Sequence, residues 1–193
     1  MNSNFFRPIF CALALAIATA CTSISAVAPG PFVFDKAIGV EVGKTWTSYP
    51  RTSRTKSQRL TIDGLPLGEM LFSAKLKSGQ ALIYTTDREK ILPVFRDDML
   101  PGELAEFVLD SLSYSGMQQT KLTELRPDRF GVDEAVRFTF SGASANGLKY
   151  SGVSKVAVIN DTLYLILFYA PSEYYYGLHE QEVQNILDSA EVL

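Results

Sequence analysis

Ala135-Val136-Arg137-Phe138-Thr139-Phe140 decides the fold, because apolar and polar side chains alternate through it. Val136, Phe138 and Phe140 fall on one face of a strand, and Arg137 and Thr139 on the other. Gly142 to Gly147 makes a loop, and Leu148 to Ile159 reads as a second strand, bent at Gly152. Asn160-Asp161 supplies a turn. Thr162 to Ala170 is apolar on both faces, as a central strand covered on each side must be, and Pro171 stops it. Gly177 to Ser189 then has helical spacing, with Leu178, Val183, Ile186, Leu187 and Ala190 on its inner face. Three antiparallel strands with a helix packed back on them form an α+β unit.

Upstream, Lys121 to Leu125 reads as a strand broken by Arg126-Pro127-Asp128. Pro101 opens a helix in which Leu104, Phe107, Val108 and Leu112 share one face and Gly116 is the C-cap. Glu103 and Glu106 lie near its positive end. Asp97 and Asp98, just before it, read as capping or solvated groups. Leu92 to Met99 is an extended connection. In the first half, Phe32 to Val42 starts the fold and Trp46, the one tryptophan, reads as a core anchor or a cover over one end of the sheet. Leu60 to Asp63, Leu67 to Leu76 and Gln80 to Thr85 read as strands of a small meander, with turns at Asp63-Gly64 and Lys77-Ser78-Gly79. The expectation is one α+β domain over residues 32–193, a twisted antiparallel β-sheet packed against two main helices.

Several pieces together resemble a group of short bacterial envelope lipoproteins without assigned activity. These are Phe-Arg-Asp-Asp-Met (Phe95 to Met99), Arg-Phe-x-Phe (Arg137 to Phe140), Gly-Leu-Lys-Tyr-Ser-Gly (Gly147 to Gly152), Leu-Tyr-Leu-Ile (Leu163 to Ile166), Ala170-Pro171 and a closing Val-x-x-Ile-Leu-x-Ser helix (Val183 to Ser189). The hairpin–helix–meander–helix order is similar to that of PsbP-like domains. That likeness implies a binding or assembly role without catalysis, although fold alone does not fix function.

The N-terminus reads as a cleavable signal peptide over residues 1–20. Arg7 is its basic residue, Ile9 to Ala18 its apolar run, too short to span a bilayer. Ala18 and Ala20 fit an ordinary Ala-x-Ala exit. Followed by Cys21 they resemble a bacterial lipobox, departing from it where Ala18 replaces the usual leucine. That resemblance implies lipidation of Cys21 and, with Thr22 after it, an outer membrane lipoprotein facing the periplasm; plain secretion to the periplasm is the alternative. Residues 21–31 are expected to tether the domain to the anchor.

From Cys21 onward the chain has 17 basic and 21 acidic side chains, a balance of −4 that does not suit nucleic acid. Cys11 falls in the leader, so Cys21 is the one cysteine that remains. A thiol oxidoreductase, a cysteine hydrolase and the usual zinc sites are therefore not expected. With no phosphate loop either, no cofactor is expected.

Two stretches are candidate partner surfaces. Tyr174, Tyr175, Tyr176 and His179 form a polar-aromatic cluster beside Glu180 and Glu182. Arg51, Arg54, Lys56 and Arg59 form a basic run suited to anionic headgroups or an acidic partner protein of the envelope. His179 also has the chemistry of a general base, for which Ser172 or Ser189 would be the nucleophile of a hydrolase. A carrier of a small apolar ligand is the other alternative. The reading preferred on sequence is a non-enzymatic binding or assembly module.

Overall fold

The computed structural model describes residues 24–50, 57–85, 89 and 91–193. In chain order the elements are β1 (Ser25–Val27), β2 (Gly30–Phe34), β3 (Ile38–Val42), β4 (Trp46–Ser48), β5 (Ser57–Thr61), β6 (Glu69–Lys77), α1 (Pro101–Tyr114), β7 (Gln118–Phe130), β8 (Asp133–Ala143), β9 (Lys149–Ile159), β10 (Thr162–Pro171), α2 (Tyr175–Ser189) and β11 (Glu191–Val192). Eight strands form one antiparallel sheet in the order β1-β4-β5-β6-β10-β9-β8-β7, and β11-β3-β2 form a small second sheet. The fold is α+β, as expected.

The C-terminal half follows its pattern closely. β7 to β10 lie side by side, and Asn160 and Asp161 take φ of 50° and 59°. Two left-handed residues in succession give the hairpin turn that suits strand twist. β10 is apolar on both faces for a structural reason. Leu163, Leu165 and Leu167 meet Leu104, Phe107, Val108 and Leu112 of α1, while Ile166, Phe168 and Ala170 meet Val183, Ile186 and Leu187 of α2. The α2 side also holds Trp46, Phe72 and the β2–β3 hairpin. Each fully buried side chain of this size contributes about 1.5–3 kcal/mol. Gly116, at φ 110°, ends α1: its N–H donates to Ser113 O at 3.0 Å and the Met117 N–H to Leu112 O at 3.1 Å.

Other expectations need correction. The tether expected over 21–31 contains strand: β1 pairs with β4, and β2 begins at Gly30. β1 is too short to show a period and pairs with a strand distant in sequence. β7 runs unbroken through Pro127, which stands opposite Val136. It is the outermost strand, where proline is tolerated because one side makes no ladder bonds. Residues 81–85 are not a strand. Gly79 and Gln80 instead exchange backbone bonds with Phe95. α2 starts at Tyr175, turns Leu178 outward at 46% exposure, and ends before the buried Ala190. β9 runs from Lys149 to Ile159 through Gly152. A Cβ there would lie 2.1 Å from Phe140 Cζ, so the glycine makes room for the ring on the neighbouring strand.

Arg137 lies on the face opposite Phe138, as expected, yet it is buried because α2 covers that face. Its Nε donates to Asp128 Oδ2 at 2.5 Å, Nη1 to Gln184 Oε1 at 2.7 Å and Nη2 to Asp188 Oδ1 at 2.5 Å. Lys155, equally buried, donates from Nζ to Arg129 O at 2.7 Å and lies 3.3 Å from Asp128 Oδ2. Glu182 fixes the middle of α2: Oε1 accepts from Gly43 N at 2.8 Å, Lys44 N at 3.0 Å and Trp46 Nε1 at 3.3 Å.

Candidate functional site

The other face of the sheet is less completely closed. On β6, Glu69 and Leu71 point toward the α1 side, and Met70 and Phe72 toward the α2 core. A bulge follows, because Leu165 stands opposite Ser73 but Leu163 opposite Leu76, with Lys75 at φ 57°. This shift brings Leu76 onto the same face as Leu71. β5 places Arg59 beside Leu71, and β10 places Tyr169 opposite Glu69. Between this part of the sheet, the end of α1 and residues 82–84 lies a cleft of about 380 Å³. Arg59, Glu69, Leu71, Leu82, Leu112 and Tyr169 are among its walls. A smaller hollow of about 190 Å³ shares Leu112, Ser115 and Tyr169 and extends to Tyr150.

Among the described residues, the floor of the cleft is short of positive charge. Glu69 is buried and accepts a hydrogen bond from the Tyr169 hydroxyl. Arg59 Nε stands 3.9 Å from Glu69 Oε1, beyond hydrogen-bond distance, and its side chain is half exposed. Burial pushes the Glu69 carboxyl above the usual range, and the tyrosine and arginine offset this only in part. Burial also pushes the Tyr169 hydroxyl far up, with Glu69 adding to it, so Tyr169 remains a donor. The Tyr150 ring meets Tyr169 edge-on at 6.0 Å. α1 has no basic residue in its last turn, so its negative end faces the cleft without a counter-charge of its own.

The residues singled out in the sequence go to several places. Tyr174 is 63% exposed, and Tyr175 packs edge-on against it at 5.2 Å. Tyr176 is half-buried, its ring 6.1 Å from Phe168. His179 is not part of this surface. It is 3% exposed, on the inner face of α2 with Glu182 and Val183, and its Nε2 lies 2.5 Å from Asp63 Oδ2 in the turn after β5. Its Nδ1 has no hydrogen-bond partner among the described residues. Ser172 Oγ pairs with Ser151 Oγ at 2.9 Å, and Ser189 Oγ donates to Ile186 O, so neither hydroxyl is directed to His179. Arg59 is at the cleft. Cys21, Arg51, Arg54 and Lys56 lie outside the described residues. No cluster of three His, Cys, Asp or Glu suited to a metal occurs among the described residues, and none of their helices is long and apolar enough to cross a membrane.

Sequence reasoning missed Glu69 and Tyr169. The available signal was phase: Glu69 is in step with Leu71 on a strand whose alternate residues Met70 and Phe72 are wholly apolar. Tyr169 was hidden by the continuous apolar run of β10.

No protein-family model matches the chain, and no curated protein sequence matches it. Among solved structures, cyanobacterial PsbP (CyanoP) from Synechocystis sp. PCC 6803 superposes with a TM-score of 0.57 at 8% identity, covering 94% of this chain and 99% of that one. LpqN, a protein involved in cell envelope biogenesis of Mycobacterium tuberculosis, gives 0.38 at 11% identity over 91% of this chain and 87% of its own. The LpqN superposition is too loose to indicate a common fold. CyanoP agrees over nearly its whole length, and on that ground the chain has the PsbP-like fold.

Proposed function

We propose that this protein is a non-catalytic binding module of the cell envelope and that the cleft at Glu69 and Tyr169 is its ligand site. The observation that carries the proposal is the cleft itself. A buried carboxyl with one tyrosine donor, a loose arginine beside it and leucine walls is a recognition geometry, with few polar groups converging in an apolar hollow. His179 supports the non-catalytic part: its ring is buried against Asp63, and the two serines that a hydrolase would use are bonded elsewhere. A purely apolar cargo suits the cleft poorly, because its floor is a carboxyl. A saturable fluorescent response to 1-anilinonaphthalene-8-sulfonate is expected from the wild type. Ser115→Trp, on the wall shared by the two hollows, should abolish it; equal binding in both proteins would remove the cleft from the proposal.

Attachment is the second part. Lipidation of Cys21 would hold the domain at the periplasmic face of the outer membrane. Strand begins at Ser25, so the four-residue step from an acylated Cys21 spans at most about 14 Å. The domain would then sit directly on the bilayer surface. Mass spectrometry of the mature protein should find diacylglyceryl-modified, N-acylated Cys21. A free N-terminus at another residue would mean secretion without an anchor.

A contact with an envelope protein is a second reading, favoured by Tyr174 and Leu178. They lie one helical turn apart and are 63% and 46% exposed. A photo-cross-linker at Tyr174 should trap one defined envelope protein, and background labelling alone would count against this surface.

A further inference from the structure

We propose that the cleft takes a small zwitterion with an apolar stem, of which an α-amino acid such as leucine is the simplest case. The inference rests on the cleft being the binding site. Two opposite charges, Arg59 and Glu69, reach it from neighbouring strands with their nearest N and O atoms 3.9 Å apart. At that separation neither satisfies the other, so each keeps hydrogen-bonding capacity for a third group. Glu69 lies deeper: its side chain is 12% exposed, against 51% for Arg59. An incoming ammonium group therefore belongs at Glu69, near the negative end of α1, and an incoming carboxylate at Arg59 on the rim.

A ligand with a single charge fits less well. A lone cation at Glu69 is repelled by Arg59, and a lone anion at Arg59 is repelled by Glu69 and by the helix end. A group that carries both charges on neighbouring atoms meets both, and its stem lies against Leu71, Leu82 and Leu112. Size agrees with this choice. About 380 Å³ is near the lower end of ligand hollows, large enough for one amino acid and too small for an intact phospholipid. An ammonium at Glu69 would favour its ionised form, because it adds to the counter-charge that Arg59 gives only in part.

Calorimetric titration of the full mature protein with three compounds of one stem tests this: leucine, 3-methylbutylamine and 3-methylbutanoate. Leucine should bind more tightly than either by about tenfold or more, since each analogue lacks one charge-assisted contact. Glu69→Gln should erase the advantage of leucine over 3-methylbutanoate, and Arg59→Gln its advantage over 3-methylbutylamine. Backbone amide shifts in the wild type should move at Leu71 and Tyr169 as leucine is added. A single-charge analogue that binds as tightly as leucine overturns the zwitterion. So does failure of all three to displace 1-anilinonaphthalene-8-sulfonate from the wild type. In both cases the cleft still stands as a binding site if Ser115→Trp abolishes binding of that probe; if it does not, the broader proposal falls as well.

Discussion

Asp128, half-buried, and Glu69, buried, are carboxyls on opposite faces of one sheet, and they are shifted in opposite directions. Burial pushes Asp128 up, but the Arg129 N–H, Lys155 and Arg137 together outweigh it and hold the group low. Burial pushes Glu69 up, and one tyrosine and one distant arginine fail to bring it back. The difference lies in how many donors reach the oxygens. Under α2 the donors come from β8, β9 and the backbone of β7 itself, and the carboxyl serves to hold the layers together. Under the end of α1 the described residues offer Glu69 only Tyr169 and a distant Arg59, and a hollow lies beside it.

The comparison can be broken most severely at Asp128. Asp128→Ala leaves Arg137 and Lys155 buried around a missing carboxylate, and about 3–5 kcal/mol of stability should be lost in urea unfolding. A loss below about 1 kcal/mol would mean that the network is not what fixes α2. Glu182→Ala comes next. It strips three donors of their acceptor, two of them backbone N–H groups between β3 and β4, and about 2–3 kcal/mol should go. Loss of near-ultraviolet ellipticity from Trp46 should accompany it.

Gly152→Ala asks whether the α1 side is loose everywhere or only at the cleft. Its Cβ would meet Phe140, so about 1–3 kcal/mol should be lost and most of it regained in the Phe140→Leu background. A neutral single variant would show that the packing there is slack. The smallest expected effect is that of Glu69→Gln. A raised carboxyl favours its protonated form in the fold, so its contribution is present below the ordinary value of 4.5 and is lost as pH rises through the folded value. The variant should therefore be as stable as the wild type or up to about 1 kcal/mol more so near neutrality, with that advantage gone near pH 4. Asp128 works the other way: its contribution is present above its unfolded value and is lost as pH falls through its depressed one.

Most of the C-terminal half was legible in the sequence. Alternation at 136–140, the Asn160-Asp161 turn and the two-faced run of β10 are local signals that tertiary packing reinforces. Elements without a clear local pattern, or with a local signal that tertiary position overrides, were obscure. β1 and β2 looked like tether, and β7 seemed to end at a proline that only its edge position permits. The site was less legible than the fold. Arg137 read only as lying on the face opposite Phe138, with nothing local to show that a second layer covers it, and His179 read as part of a surface cluster with three tyrosines although the helix turns it inward. Glu69 gave only its phase, and what makes it a candidate is that no helix among the described residues covers this side of β5 and β6. No local pattern encodes that absence.

The most direct test is the titration of Glu69 itself, followed by the carbon-13 shift of its carboxyl in the free protein and again with saturating leucine. The account predicts a midpoint above 4.5 in the free protein and a fall when leucine brings an ammonium to it. A midpoint at or below 4.5 in the free protein would contradict it, because the carboxyl would then already have the counter-charge that the cleft is held to lack.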